Sequence, residues 1–127
     1  MTPIRRGLLL FAHGARDPRW AAPFEAMLAR LRARRPERVV RLAFLELMTP
    51  DLPHAAEELA AEGCRRIDIV PLFLGMGGHL RNDLPPLVDR LRERLPGVEF
   101  RLHGAVGEAP AVIDALAAHA LDLTDLP

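Results

Sequence analysis

Four residues in this sequence carry metal-binding side chains at comparable places in its pattern: His13, Glu46, His79 and His103. Each follows or closes a short apolar run. Imidazole is a donor suited to borderline divalent metals such as cobalt, iron, nickel and zinc. Two imidazoles and a carboxylate leave coordination positions open, so that nitrogen atoms of another molecule can take over the metal. Cys64 is the single cysteine and has no second thiolate to pair with, which rules out an intrachain disulfide or a cysteine-based metal site. It is expected to be small buried filler.

The elements that would position these groups follow from the alternation of short apolar runs with longer amphipathic stretches, the pattern of successive β-α units. Strands are expected from Gly7 to Ala12, Val39 to Leu45, Ile67 to Leu74 and Val98 to Leu102, each apolar enough to be covered on both faces. The first helix should start at Asp17-Pro18, end before Pro36, and present Trp20, Phe24, Met27, Leu28 and Leu31 to the core. The second should run from near Asp51 to Gly63, the third from near Asp83-Leu84-Pro85 to Pro96-Gly97, and the fourth from near Ala109-Pro110. Pro71 inside the third run predicts a bulge or an early end to pairing, because proline cannot donate to a central ladder. The fold class is α/β: a single domain over residues 1–127, βαβαβαβα, with a four-stranded, mainly parallel sheet and helices on both faces, like half of a flavodoxin-like domain. Residues 122–127 are expected to fray.

In such a sheet the loops leaving the strands' carboxyl ends share one edge, and ligands bind there, where the strand order reverses. With the order 2-1-3-4 the crevice lies between the first and third strands, so His13 and His79 should face each other across it. Glu46 ends the second strand and is either a third ligand, a proton relay or a carboxylate with no metal to bind. Gly75, Gly77 and Gly78 around His79 suggest a loop built for close backbone approach or movement. Arg16, Arg19 and Arg81 flank the proposed site and offer bidentate partners for carboxylates, or are ordinary surface charge at helix starts. Met76 and Leu80 would pack on a flat ligand face or in the core. His54 and His119 fall near helix ends and are assigned to structure.

Composition excludes several classes. All 17 basic residues are arginines and are balanced by 17 carboxylates, so overall charge points to no nucleic-acid partner. The cluster Arg30, Arg32, Arg34, Arg35 and Arg38 lies at an expected helix end, where cations suit the dipole. The apolar run from Leu8 to Ala12 is too short for a signal segment or a membrane span, so no membrane partner and a cytoplasmic setting are expected.

Taken together, Leu9-Leu10-Phe11-Ala12-His13-Gly14-Ala15-Arg16-Asp17-Pro18, then Ala43-Phe44-Leu45-Glu46 with Pro50, then Val70-Pro71-Leu72-Phe73-Leu74 leading into Gly78-His79-Leu80-Arg81-Asn82-Asp83-Leu84-Pro85, resemble the short sirohydrochlorin cobalt/iron chelatases, the small CbiX-like class II chelatases of cobalamin and siroheme synthesis. The resemblance spans nearly the whole chain. It implies a lyase-type enzyme that inserts Co²⁺ or Fe²⁺ into sirohydrochlorin as a metal substrate, with no permanently bound cofactor; the ligand set itself would also accept Ni²⁺. The family's two metal-binding histidines fall on His13 and His79, and its active-site glutamate on Glu46. Arg16, Arg81, Met76 and Gly78 are the expected substrate contacts. Ala15 stands where many members have serine, and the segment His103-Gly104-Ala105-Val106-Gly107 departs from the apolar one expected, which leaves His103 without an assigned role. Long chelatases resemble two such domains fused, implying that the short form pairs as a homodimer. Size agrees: a domain of this length has a radius of gyration of about 14 Å, too shallow to enclose a macrocycle alone.

Two rival readings use the same residues. Phe11-Ala12-His13-Gly14 superficially resembles a histidine-phosphatase signature, but Ala12 stands where the phosphate-binding arginine is required. A metallochaperone or tetrapyrrole carrier, which is not an enzyme, would also need paired histidines beside an apolar cleft.

Overall fold

The computed structural model describes residues 3–127. Its elements are β1 (Arg6–Ala12), a 3-10 turn (Pro18–Ala21), α1 (Ala22–Arg34), β2 (Val39–Phe44), α2 (Leu52–Ala61), β3 (Arg66–Pro71), α3 (Gly78–Arg94), β4 (Glu99–Leu102), a second 3-10 turn (Val106–Glu108) and α4 (Pro110–Thr124). The strands form one parallel sheet in the order β2-β1-β3-β4, as the sequence predicts. Right-handed crossovers then put α1, which leads outward to β2, on one face, and α2 and α3, which travel the other way, on the opposite face.

The core lies under α2 and α3. Leu9, Phe11, Ile67, Ile69 and Phe100 from the sheet meet Leu52, Ala55, Ala56 and Leu59 of α2 and Leu84, Val88 and Leu91 of α3. Cys64 is buried among them as expected, and burial pushes its thiol pKa up. Burial of these apolar side chains away from water is the main favourable contribution to the fold.

The other face is thinner than the sequence suggests. No residue of α1 is buried; Trp20, Phe24, Leu28 and Leu31 are only partly covered, and Met27 is exposed. The cause is position: α1 packs over edge strand β2, where Arg32 donates to the Val40 carbonyl at 2.9 Å, so its outer flank meets solvent. Burial alternates along β3, and β4 buries only Phe100, so the expectation that these strands are covered on both faces does not hold. Their uncovered face carries polar pairs, an Arg66–Glu99 ion pair at 2.9 Å and a His103–Asp68 hydrogen bond at 2.8 Å.

Pro71 ends β3, so the strand stops short of Leu74. Leu72 N–H donates to Phe11 on β1, and Ile69 accepts from His103 beyond β4. Because successive residues of a strand point their hydrogen-bonding groups alternately to either side, Pro71 faces the β4 side beyond that strand's last pair. Its missing N–H therefore costs the ladder nothing.

Helix starts follow local chemistry. Asp17 accepts from Arg19 N–H at 2.9 Å and Asp51 from His54 N–H at 2.9 Å, each followed by proline near the first helical position. One expectation is corrected. The third helix begins at Gly78, not near Asp83, and carries Pro85 and Pro86 inside it, so His79 and Arg81 lie in its first turns and not in a glycine-rich loop. The prolines are the eighth and ninth residues of the helix, beyond its first two turns, and their absent N–H groups leave the Arg81 and Asn82 carbonyls outside the helical ladder. The fourth helix continues through Asp122 to Thr124, whose hydroxyl donates to the Leu121 carbonyl. Among the described residues no helix is long and apolar enough to cross a membrane.

Candidate metal-binding site

The segments after β1 and β2 are held together by extension of their ladder. Leu45 N–H donates to the Ala12 carbonyl at 2.8 Å and Glu46 N–H to the His13 carbonyl at 3.1 Å. Gly14 makes this approach possible. Its φ is +95°, and a Cβ there would stand 1.8 Å from the Glu46 carbonyl oxygen, so no other residue fits without moving the two segments apart. The chain then turns through Leu47 at φ 64°, a left-handed conformation unusual for leucine, and Met48 N–H donates to Glu46 at 2.8 Å.

The result is a His13–Glu46 pair, Nε2 to Oε1 3.0 Å, with the two side chains 53% and 55% exposed. The edge of Phe73 flanks the imidazole, ring centroids 6.4 Å apart at 87°, and Phe73 itself packs on Phe11 in the same way. A carboxylate on one ring nitrogen fixes the proton there and leaves the other nitrogen's lone pair for a metal. The pair is accessible, oriented and close to an apolar surface.

The structure does not gather all the candidate ligands. Among the described residues no three of His, Cys, Asp and Glu converge as a ready metal cage. His79 is exposed in the first turn of α3, on the segment that leaves β3 past Phe73. His103 turns onto the uncovered sheet face, bonded to Asp68. Arg16 lines an open hollow of about 390 Å³ with Ala15, Phe44, Leu47 and Met48, beside the Glu46 turn. Arg19 is held by Asp17 through bonds of 2.8 to 3.1 Å, and that guanidinium keeps the Asp17 carboxyl below its ordinary pKa. Arg81 donates to the Met76 carbonyl at 3.0 Å and to Glu108 at 2.7 Å. Met76 packs against the core, Leu80 is half-buried, and Gly78 opens α3 with nothing near its absent Cβ. His54 bonds to Asp51, as a structural role requires, and His119 is exposed on α4.

Sequence reasoning missed three features. The tight Gly14–Glu46 approach was readable only as a glycine after a strand. The Phe73 edge contact depends on where the β3 segment turns. The Asp68–His103 pair had a signal, a carboxylate between Ile67 and Ile69, which marks a strand covered on one face.

A family model described as CbiX matches residues 7–123. The sirohydrochlorin ferrochelatase of Priestia megaterium is 29% identical over 109 residues, covering 86% of this chain and 41% of its own length. The crystal structure of a cobalamin (vitamin B12) biosynthesis CbiX protein from Marinobacter aquaeolei VT8 superposes with a TM-score of 0.80 at 31% identity, covering 94% of this chain and 98% of that one. The sirohydrochlorin chelatase SirB from Bacillus subtilis subspecies spizizenii, solved in complex with cobalt, superposes with a TM-score of 0.79 at 25% identity, covering 94% of this chain and 51% of that one. This chain spans about half the length of the curated relatives it matches.

Proposed function

Because the chain belongs to the CbiX family, we propose that it is a sirohydrochlorin chelatase, a lyase that inserts Co²⁺ or Fe²⁺ into the tetrapyrrole. The observation that carries this reading is the His13–Glu46 pair, an oriented imidazole at the sheet's ligand-binding edge. Relatives named for ferrochelatase activity or solved with cobalt supply the metals.

Insertion exchanges two pyrrole N–H protons for one dication, so the site must present a partly desolvated metal and take up protons. His13 and His79 hold the metal. As macrocycle nitrogens replace the histidines, a released imidazole accepts one proton. Glu46 orients His13, and relays the second proton to solvent or completes the metal's coordination. Arg16 pairs with carboxylates of the macrocycle, and Arg81 does so by leaving Glu108. Met76 and Gly78 border the ring at the start of α3. A second copy of the chain supplies the other wall of the cleft.

The test is metallation of sirohydrochlorin followed by absorbance with Co²⁺, Fe²⁺ and Ni²⁺ in parallel. The protein should exceed the uncatalysed rate, and His13→Ala and His79→Ala should each remove most of the gain. Full activity in both variants overturns the mechanism. Binding of metal and macrocycle without faster insertion would make the protein a carrier.

A further inference from the structure

We infer that Glu108 is a built-in competitor of the macrocycle: it holds Arg81 in the free protein, a substrate carboxylate displaces it, and its return weakens the hold on the metallated product. The inference rests on the proposed function, in which Arg81 pairs with the macrocycle, and names the group that the macrocycle must displace. Arg81 stands in the first turn of α3, its N–H on the Gly77 carbonyl at 3.1 Å. Glu108 closes the 3-10 turn that follows β4. Backbone contacts brace it there. Gly107 N–H donates to the Phe73 carbonyl at 2.9 Å, and a Cβ on Gly107 would lie 2.1 Å from the Leu74 carbonyl oxygen, so only glycine lets the two segments run this close. Glu108 N–H donates to the carbonyl of buried Ala105 at 3.0 Å. The carboxylate is therefore presented from a fixed turn to the start of α3 and to the segment leading into it, which carries Phe73, beside His13, and Met76.

The pair is arranged for exchange. Arg81 Nη2 donates to Glu108 Oε1 at 2.7 Å, while Nε is engaged by the Met76 carbonyl at 3.0 Å, so Glu108 takes one bond and not the parallel pair that arginine offers a carboxylate. The two side chains are 58% and 41% exposed, and a solvated ion pair of this kind is weak. A substrate carboxylate can take Nη1 and Nη2 together while Nε stays on Met76, so Arg81 keeps its place when its partner changes. Metal insertion alters the ring nitrogens and leaves the peripheral carboxylates as they were. Arg81 alone would thus grip substrate and product equally, a uniform binding that slows release without aiding the chemistry. Glu108 offsets that grip for both, because the freed carboxylate stays beside the guanidinium it lost and repels the one that replaced it.

The test is a titration of the full chain with metal-free sirohydrochlorin. At low ionic strength Glu108→Gln should bind it ~3- to 10-fold more tightly than wild type, the size of an exposed ion pair plus the repulsion from its freed carboxylate, and Glu108→Ala should do the same. The gain should shrink at high salt and vanish in an Arg81→Gln background. The cobalt product should leave Glu108→Gln more slowly by a similar factor. Glu37→Gln, which removes a charge at the amino-terminal end of β2, remote from the site, should change nothing. Equal or weaker binding by Glu108→Gln, or the same gain with and without Arg81, overturns the inference. The insertion assay separates the two readings. Insertion with an unaltered Glu108→Gln affinity sinks only the competitor, binding without insertion that Glu108→Gln still tightens sinks only the chelatase, and no binding of the macrocycle sinks both.

Discussion

A single hydrogen bond decides what His13 can do. With Glu46 on Nε2 at 3.0 Å, the imidazole is aimed and one nitrogen is committed. Glu46→Gln keeps the shape but removes the charge that favours the proton on that nitrogen. Cobalt affinity measured by titration, and insertion rate, should each fall ~10- to 100-fold, the usual effect of altering a ligand's orienting partner. An unchanged affinity with a slower rate would leave Glu46 only its proton-relay part. Gly14 holds the pair together from the backbone side. Gly14→Ala forces a Cβ onto the Glu46 carbonyl and should cost at least ~2 kcal/mol in denaturant unfolding, since both the positive φ and the contact must be relieved. It should also weaken cobalt binding, because relief separates the segments carrying His13 and Glu46. Residue types were legible here and contacts were not: the sequence shows a histidine and a glutamate at strand ends, but their meeting depends on two backbone bonds and one positive φ.

At the scale of elements, caps were read directly because their chemistry is local. Asp51 receives the His54 N–H at 2.9 Å, and its carboxylate also meets the His54 ring at 2.6 Å. Asp51→Ala should cost about 1 kcal/mol, read from a urea transition. The backbone bond from His54 holds the Asp51 carboxyl below its ordinary pKa, and the bond and charge of Asp51 raise that of His54. A lowered carboxyl pKa gives stability that is present above the unfolded value and lost as pH falls through the folded one. A raised imidazole pKa gives stability that is full below the unfolded value and lost as pH rises through the folded one. The start of α2 is therefore most stable in the weakly acidic range between them. In an NMR titration, His54 should ionise at lower pH in Asp51→Asn than in wild type; equal midpoints would refute the pairing. The start of α3 was not legible for the complementary reason. Asp83-Leu84-Pro85 carries the local signature of a helix start, whereas the true start at Gly78 has a glycine cap with no side-chain signal, set by how the segment from Leu72 to Gly77 leaves the sheet. Strand order was legible because handedness and connection length leave few choices.

For the whole molecule, the sequence located the core but not which sheet face stays open, because the apolar residues of α1 and α4 look alike from composition. The distinction is positional: α1 lies along β2, while α4 departs from the sheet after a 3-10 turn and leaves Ile113 and Leu116 exposed. If α4 completes its burial only on a second copy, folding and assembly are linked and stability depends on concentration. Each tenfold dilution then removes about 1.4 kcal/mol per mole of dimer, which for a unit of this size lowers Tm by about 2–4 °C. Calorimetry of the wild type across a hundredfold range of concentration should show that trend. Ile113→Glu with Leu116→Glu should unfold at one Tm throughout, close to that of the most dilute wild type. A concentration-independent wild-type Tm would mean that α4 folds back on its own sheet or stays solvated, and would separate assembly from the fold altogether.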